Sequence, residues 1–432
     1  MISGPSSPPS TPKNILQSFL GTALPRLVMS SFLLLASGRL ALFAMVAVFG
    51  HTLSTAAFGE FNFVLSIVFW VGAILSIPHS NILFMAKYAG SKDNARSLGY
   101  VIFSLALVVL LCAVAAALIP LLFGYISKHM SDRSLIWTST LILPFGIIYW
   151  QRSITRGEGH LFLALAPQEI LLPLLAAAIC LSLPATLRYA MGSYLAAMVT
   201  TIIISSVPAY MYFRRKFSGI KPEFDWKQWR LRIPHLTVGG LAEVSMGQWD
   251  VILIGVLLNM EQTAYYAAAA RISLFSAIGL RVVETATAPL MAHLLREPDK
   301  RRARELLIHT TLISTSVGLV IAIPMFLFPG FFLHLVGPGL QDGRNVLQIL
   351  VLGQLVNVST GPVSQMLYLG GNERIYANGL WMSNIASAAG FILLVPSFGI
   401  VGGAAAKALS VTLLNIGFAG YAYRSLRRTA KG

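Results

Sequence analysis

The sequence predicts an all-α polytopic membrane protein with about twelve transmembrane helices in two six-helix lobes around a central cavity. Of its 432 residues, 56% are hydrophobic and only 11% are charged, a balance outside the usual range of soluble domains. The chain contains twelve apolar runs, most of roughly the 20 residues that cross a bilayer as a helix. Because these runs are continuous and show no period of two, they exclude a membrane-spanning β-barrel.

The twelve predicted spans are joined by short connections. They begin near Met29, Phe61, Leu98, Leu135, Leu161, Tyr189, Leu236, Ala264, Leu306, Val346, Tyr376 and Ile400. The run from Leu135 to Trp150 is short. Residues 1–28 are expected to comprise a disordered leader, rich in Ser and Pro from Met1 to Asn14, and an interfacial segment from Ile15 to Leu24. They lack the charged and apolar regions of a signal peptide.

The basic residues indicate how the chain crosses the membrane. The formal net charge is +16, and most of the 32 lysines and arginines fall in alternate loops, whereas the other loops hold only Lys128, Arg133, Arg188 and Arg344. This asymmetry predicts an even number of spans with both termini in the cytoplasm. Basic residues in short loops contact anionic membrane lipid, so no nucleic-acid partner is expected.

The spans divide into two similar halves. We expect an N-lobe at residues 29–213, a C-lobe at residues 234–423 and a basic cytoplasmic tail at residues 424–432. Residues 214–233 form a basic loop with three aromatic residues, which predicts an interfacial linker between the lobes. Similar short motifs begin at Thr55 and Thr263, which favours a six-plus-six repeat.

Several kinds of function are disfavoured by the same sequence. No nucleotide-binding or metalloprotease motif is present, and no loop is long enough to hold a soluble catalytic domain. Cys112 and Cys180 lie within apolar runs, as packed thiols do. We therefore expect no cofactor and no metal, and a secondary transporter rather than an ATP-driven pump or an enzyme.

Short motifs connect the chain to a known family. They are Ser37-Gly38-Arg39 with Phe58-Gly59-Glu60; Asp250 with Ile254-Gly255, Tyr265-Tyr266 and Ala270-Arg271; and Pro396, Phe398-Gly399-Ile400 and Gly402-Gly403-Ala404-Ala405. In their order and spacing the chain resembles polysaccharide-transport flippases. Their superfamily also contains multidrug and toxin extruders and peptidoglycan-precursor flippases.

The resemblance implies a function and a location. A flippase of this kind translocates a polyprenyl-pyrophosphate-linked oligosaccharide across the bacterial cytoplasmic membrane by alternating access, for O-antigen, capsule or exopolysaccharide synthesis. A polysaccharide polymerase complex is a further implied partner. The alternative is a multidrug/cation antiporter of the same superfamily, which would need an acidic, aromatic cavity.

Cationic side chains within the spans are the candidate ligands of an anionic headgroup. Arg39 and Arg271 lie deep in their spans, and a guanidinium binds phosphate oxygens in a bidentate way. The alternative for each is a carboxylate partner that fixes helix packing. Arg281 could instead pair with Glu284 three residues later, and Lys407 could either extend towards the interface or add a further cation to the cavity.

Acidic side chains within the spans are the candidates for coupling to H⁺ or Na⁺. Glu243 and Asp250 are seven residues apart and so share nearly one helix face. Such a pair could exchange an ion, or Asp250 could instead neutralise Arg271; Glu284 is a third candidate and Glu169 a weaker one. Gly239 and Gly240 are the candidate hinge.

Overall fold

The structure is a computed structural model that describes residues 24–91, 93–126, 131–297 and 299–428. The N-lobe contains the first six long helices. They are α1 (Leu24–Thr52), α2 (Thr55–Ser91), α3 (Asn94–Ile126), α4 (Asp132–Gly157), α5 (Leu161–Leu181) and α6 (Leu187–Lys216). The expected interfacial segment, except for Leu24 at the start of α1, and the end of the basic tail lie outside the described residues.

The C-lobe repeats this arrangement. Its helices are α7 (Trp226–Leu257), α8 (Met260–Leu294), α9 (Arg301–Leu327), α10 (Gln341–Thr360 and Val363–Leu369), α11 (residues 373–398) and α12 (residues 400–428). The last two form one continuous stretch that is kinked at Gly399, where φ is +56°. A short connecting helix, Pro329–Val336, precedes α10.

The predicted twelve-helix, two-lobe architecture is confirmed. Among the described residues, nine helices are long and apolar enough to cross a membrane, and the bent α10 pair makes a tenth. The stretch Glu373–Ser425 is one of those nine helices, although it contains both α11 and α12. The remaining helix, α4, extends seven residues beyond the predicted run to Gly157 and carries more polar residues.

Local sequence signals begin and interrupt these helices. Side chains of Ser54, Asp225 and Asn259 accept hydrogen bonds from the first turns of α2, α7 and α8, and so satisfy otherwise unpaired N–H groups. Within α5, residues Pro167–Leu171 form a π-helical turn, and within α8, residues Leu274–Ala277 form a 3₁₀ turn. Such irregular turns re-aim the side chains they carry.

The lobes meet mainly where α2 packs against α7 and α8 and where α1 packs against α8. We call the end of the bundle that bears the α2–α3, α4–α5, α6–α7, α8–α9 and α10–α11 connections the basic end. At the opposite end, a Cβ on Gly50 or Gly59 would overlap the backbone of Val336 or Met260 across the interface. The lobes are therefore closed, backbone to backbone, at the end opposite to the basic end.

The connection between the lobes is shorter than the 214–233 linker. Helix α6 continues to Lys216, and α7 begins at Trp226, so residues 217–225 alone join them. Trp229 is fully buried and donates from Nε1 to the Tyr88 hydroxyl at 2.8 Å, while Phe224 and Trp226 stay exposed. The start of α7 is thus anchored on the N-lobe by a buried aromatic side chain.

Candidate functional site

Four arginines from three helices lie around one space between the lobes. Arg39 of α1 is within electrostatic range of Arg152 of α4 and Arg281 of α8, and Arg156 of α4 is within range of Arg152. We call Arg39, Arg152, Arg156 and Arg281 the arginine cluster. The arginine cluster has members in both lobes. The Arg281 side chain is 67% exposed, so the space between the lobes is open.

The irregular turn in α5 fixes one member of the arginine cluster. Nη1 of Arg152 donates to Oε1 of Glu169 at 3.0 Å and to Oε1 of Gln168 at 2.8 Å. Both acceptors come from the π-helical turn of α5. The guanidinium of Arg152 also lies 5.3 Å from the centre of the Tyr149 ring, within cation–π range. Arg152 is therefore a positioned, neutralised cation.

The carboxylates of the cleft have partners of their own. Glu243 of α7 contacts His79 of α2, with 3.3 Å between Oε2 and Nε2, and its side chain is 53% exposed. Glu284 lies 3.8 Å from Arg281. Within the described ranges, Arg39 and Arg156 form no hydrogen bond or ion pair with any carboxylate. The cleft thus holds two guanidinium groups without a direct counter-charge, with Glu169 within electrostatic range of Arg39 and Glu243 within range of Arg156.

Tyrosines line the C-lobe side of the same cleft. Tyr376 is within electrostatic range of Glu243, Arg281 and Glu284. Its ring centre lies 5.6 Å from that of Tyr368, and the two rings meet edge to face. Aromatic faces and edge hydroxyls of this kind can pack on a sugar ring or on an organic cation.

A second charged cluster is buried within the C-lobe, nearer the opposite end. Lys407 of α12 lies 3.5 Å from Oδ2 of Asp250 and also donates to the Met246 carbonyl. The Tyr266 hydroxyl donates to the same Asp250 oxygen at 3.4 Å. We call Asp250, Lys407 and Tyr266 the C-lobe cluster. The Lys407 side chain therefore points inward and has a partner.

In the structure, the site residues predicted from the sequence lie in two places, the cleft with the arginine cluster and the C-lobe cluster. Arg39 and Arg281 converge in the cleft, whereas Arg271 lies beside the C-lobe cluster and donates from Nε to Oδ1 of Asn62 at 2.9 Å. Glu243 and Asp250 have different partners, His79 and Lys407. Neither the Arg271 nor the Glu243 contact had been expected, because each joins helices that are far apart in sequence.

The candidate hinge glycines differ from each other in their surroundings. Both lie inside the uninterrupted helix α7. A Cβ on Gly240 would overlap the imidazole of His79, whereas a Cβ on Gly239 would meet nothing within 4 Å. Gly240 therefore permits the close approach of α2 to α7, and a hinge at this pair stays a prediction.

Sequence reasoning missed Arg152 and Arg156 as site residues. It placed both in a cytoplasmic loop, because the apolar run of α4 ends at Trp150. Their spacing of four residues, which puts both on one helix face, was the signal that could have revealed them. Among the described residues, no group of three His, Cys, Asp or Glu side chains could hold a metal ion.

Solved structures share this architecture along nearly the whole chain. A structure described as the inward-facing conformation of a multidrug resistance MATE family transporter of the MOP superfamily superposes with a TM-score of 0.73 at 16% identity, and covers 94% of this chain and 98% of its own. The chain has the MATE fold. A structure described as the outward-facing conformation of such a transporter gives a TM-score of 0.64 at 16% identity, covering 95% of this chain and 96% of its own.

Two further comparisons bear on the MATE fold. A MOP superfamily transporter from Pyrococcus furiosus, described as having a binding pocket of reverse polarity, superposes with a TM-score of 0.66 at 17% identity, covering 95% of this chain and 96% of its own. Residues 236–378, most of the C-lobe, match the MatE family model. No curated protein matches the sequence.

Proposed function

We propose that this protein is a secondary transporter that moves an anionic amphiphile, a polyprenyl-pyrophosphate-linked oligosaccharide, through the cleft between its lobes. The observation that carries the proposal is the pair of guanidinium groups, Arg39 and Arg156, that face the cleft without a direct counter-charge. Arg39 lies deep in α1, where an unpaired charge is costly and a bound anion would offset that cost, whereas Arg156 is exposed at the basic end of α4.

A diphosphate fits these groups chemically. Each guanidinium can bind two phosphate oxygens in parallel, and it stays protonated at any working pH. Arg39 and Arg156 belong to the N-lobe, whereas the exposed Arg281 belongs to the C-lobe, so one headgroup could contact both lobes at once. The tyrosines Tyr368 and Tyr376 would then lie beside the sugars.

The closed and open ends of the bundle support alternating access. The lobes are closed at the end opposite to the basic end, and the higher TM-score to an inward-facing structure agrees with a cleft open at the basic end. By the positive-inside rule the basic end faces the cytoplasm. We propose that the protein lies in a bacterial cytoplasmic membrane with both termini inside, and that it loads its substrate from the inner leaflet, with H⁺ or Na⁺ as the coupling ion.

A multidrug/cation antiporter is the second candidate. Two observations favour it: the half-exposed carboxylate of Glu243 beside Tyr376, and the MATE-type transporters among the structural neighbours. Glu243 lies among four arginines and is a weak site for an organic cation, because the arginines repel a ligand of the same charge. The reverse polarity described for the Pyrococcus furiosus transporter shows that the fold also occurs with a different pocket charge.

Translocation in proteoliposomes tests the proposal. The probe is a fluorescent polyprenyl-pyrophosphate oligosaccharide, whose outer-leaflet fraction is followed by quenching. We expect transport by the wild type and a loss of about tenfold or more in Arg39→Ala and Arg156→Ala, since a hydrogen bond to a charged group contributes about 1.5–3 kcal/mol. Arg301→Ala, on the exposed start of α9, is the matched control.

The opposite outcome identifies the second candidate. If the wild type exchanges a fluorescent organic cation for protons, and Glu243→Gln abolishes that exchange while Arg156→Ala does not, the protein is a cation antiporter. In that case the pyrophosphate lipid should stay in the leaflet where it was added.

A further inference from the structure

The C-lobe cluster is built as a site for a small cation. Two oxygens contact the Lys407 ammonium, Oδ2 of Asp250 at 3.5 Å and the carbonyl of Met246, and the Tyr266 hydroxyl donates to that same Oδ2. A carboxylate, a backbone carbonyl and a phenol are hard oxygen donors of the kind that bind Na⁺ or hydrated protons. The ammonium of Lys407 is held where such an ion would lie.

The C-lobe cluster is buried, so the charge of Asp250 must be compensated within it. Only 9% of the Asp250 side chain and 15% of the Lys407 side chain is exposed. A carboxylate in such a position must be paired with a cation or neutralised by a proton. Among the described residues, Oδ1 of Asp250 accepts only from the Val251 N–H, one residue along the chain, so the charge is compensated mainly through Oδ2.

The surroundings disfavour a second, dissolved cation. Arg271 is within electrostatic range of Asp250, yet its Nε donates to Asn62 on α2. Asp250 thus lies near two fixed cations, Lys407 and Arg271, of which Lys407 belongs to the C-lobe cluster. A tethered group competes at a high effective concentration, so a lysine in this position would outcompete dissolved Na⁺ and protons for Asp250.

We propose that Lys407 is a built-in counter-cation, which occupies a monovalent-cation site at Asp250 and makes that site independent of dissolved Na⁺ or H⁺. Asp250 is then not the residue that exchanges the coupling ion. Removal of the lysine would convert the pocket into a true ion site, made of the Asp250 carboxylate, the Met246 carbonyl and the Tyr266 hydroxyl.

The test is thermal unfolding of the purified full chain in detergent micelles. Na⁺ replaces N-methyl-D-glucamine at constant ionic strength, and a second series varies pH without Na⁺. We expect the wild type to unfold at the same temperature throughout. Lys407→Gln should unfold at a lower temperature without Na⁺ at neutral pH, and should gain several degrees with Na⁺ or with acid, as expected for a ligand that binds the folded state.

Two variants define the specificity of that response. Lys407→Gln combined with Asp250→Asn should show no response to Na⁺ or pH, because the carboxylate is gone. Lys227→Gln, which removes an exposed lysine at the start of α7, should behave as the wild type does. The Na⁺ series and the pH series separately identify the ion that takes the place of the ammonium.

Three results would overturn the proposal. The first is stabilisation of the wild type by Na⁺, and the second is a folded Lys407→Gln variant that responds to neither ion, as would occur if Arg271 moved onto Asp250. If Lys407→Gln does not fold, the double variant decides: a Lys407→Gln/Asp250→Asn variant that also fails to fold would show that the two groups do not compensate each other. Because the readout is stability, it does not depend on the transported substrate.

Discussion

His79 of α2 and Glu243 of α7 join the two lobes, with 3.3 Å between Nε2 and Oε2, and within the described ranges this is the one contact between a basic and an acidic side chain that connects them. We expect Glu243→Ala to favour separation of the lobes at the basic end. A half-exposed ion pair contributes about 1 kcal/mol or less, so the ratio of open to closed molecules should change up to about fivefold. Pulsed electron resonance between spin labels at positions 90 and 373 measures this distance.

A matched change tests whether that effect comes from the contact itself. Glu261→Ala removes an exposed carboxylate in the first turn of α8, far from His79, and should leave the distance distribution unchanged. An identical distribution in Glu243→Ala and the wild type would show that the His79 contact does not hold the lobes together.

The adjacent glycines of α7 offer a second comparison. A side chain at Gly240 would overlap His79, whereas one at Gly239 would meet open space. Gly240→Ala should therefore weaken the packing of α2 on α7 and lower stability by about 1–3 kcal/mol, as overpacking does. Gly239→Ala should be neutral or slightly stabilising. Thermal unfolding measures both; a hinge that depends on Gly239 would instead show itself as lost transport in a stable Gly239→Ala variant.

Closure at the end opposite to the basic end depends on a glycine of the first hairpin. A Cβ at Gly59 would overlap the Met260 backbone. We expect Gly59→Leu to open this end and to increase labelling of a cysteine introduced at Thr55 by an impermeant reagent. Gly417→Ala, at an uncrowded position of α12, should have no such effect. Unchanged labelling in Gly59→Leu would mean that closure at this end does not depend on Gly59.

The Arg152–Glu169 pair sets the charge of the arginine cluster. Glu169→Gln should free Arg152 from its carboxylate and add a third unpaired guanidinium to the cleft. Binding of a polyprenyl-pyrophosphate ligand should tighten by up to about tenfold, the equivalent of about 1.4 kcal/mol. Titration in nanodiscs measures the affinity. Weaker binding in Glu169→Gln would instead show that the pair orients Arg152 towards the ligand.

The sequence predicted the fold because membrane insertion imposes a local rule. Each span needs a continuous apolar run, and alternate loops carry the positive charge, so spans and topology follow from short windows of sequence. Helix α4 shows the limit of that rule. Its last turns carry Arg152 and Arg156, which resemble a loop in composition but are helical, so composition alone ended the predicted span too early.

The candidate site could be predicted only in part. Arg39, Glu243 and Asp250 were found because ionisable groups are rare within spans. Their partners were not, since His79 is 164 positions from Glu243 and Asn62 is 209 positions from Arg271. Such contacts depend on how the lobes pack, which a single sequence does not reveal.

Equilibrium binding to purified protein in nanodiscs is the most direct measurement of the arginine cluster as an anion site. The ligands are a polyprenyl-pyrophosphate oligosaccharide and, separately, an organic cation. We expect the wild type to bind the pyrophosphate lipid, with affinity that falls as salt is added, and Arg39→Ala/Arg156→Ala to bind it at least about a hundredfold more weakly. Equal affinity of the double variant and the wild type for this lipid, or wild-type binding of the cation alone, would contradict the assignment.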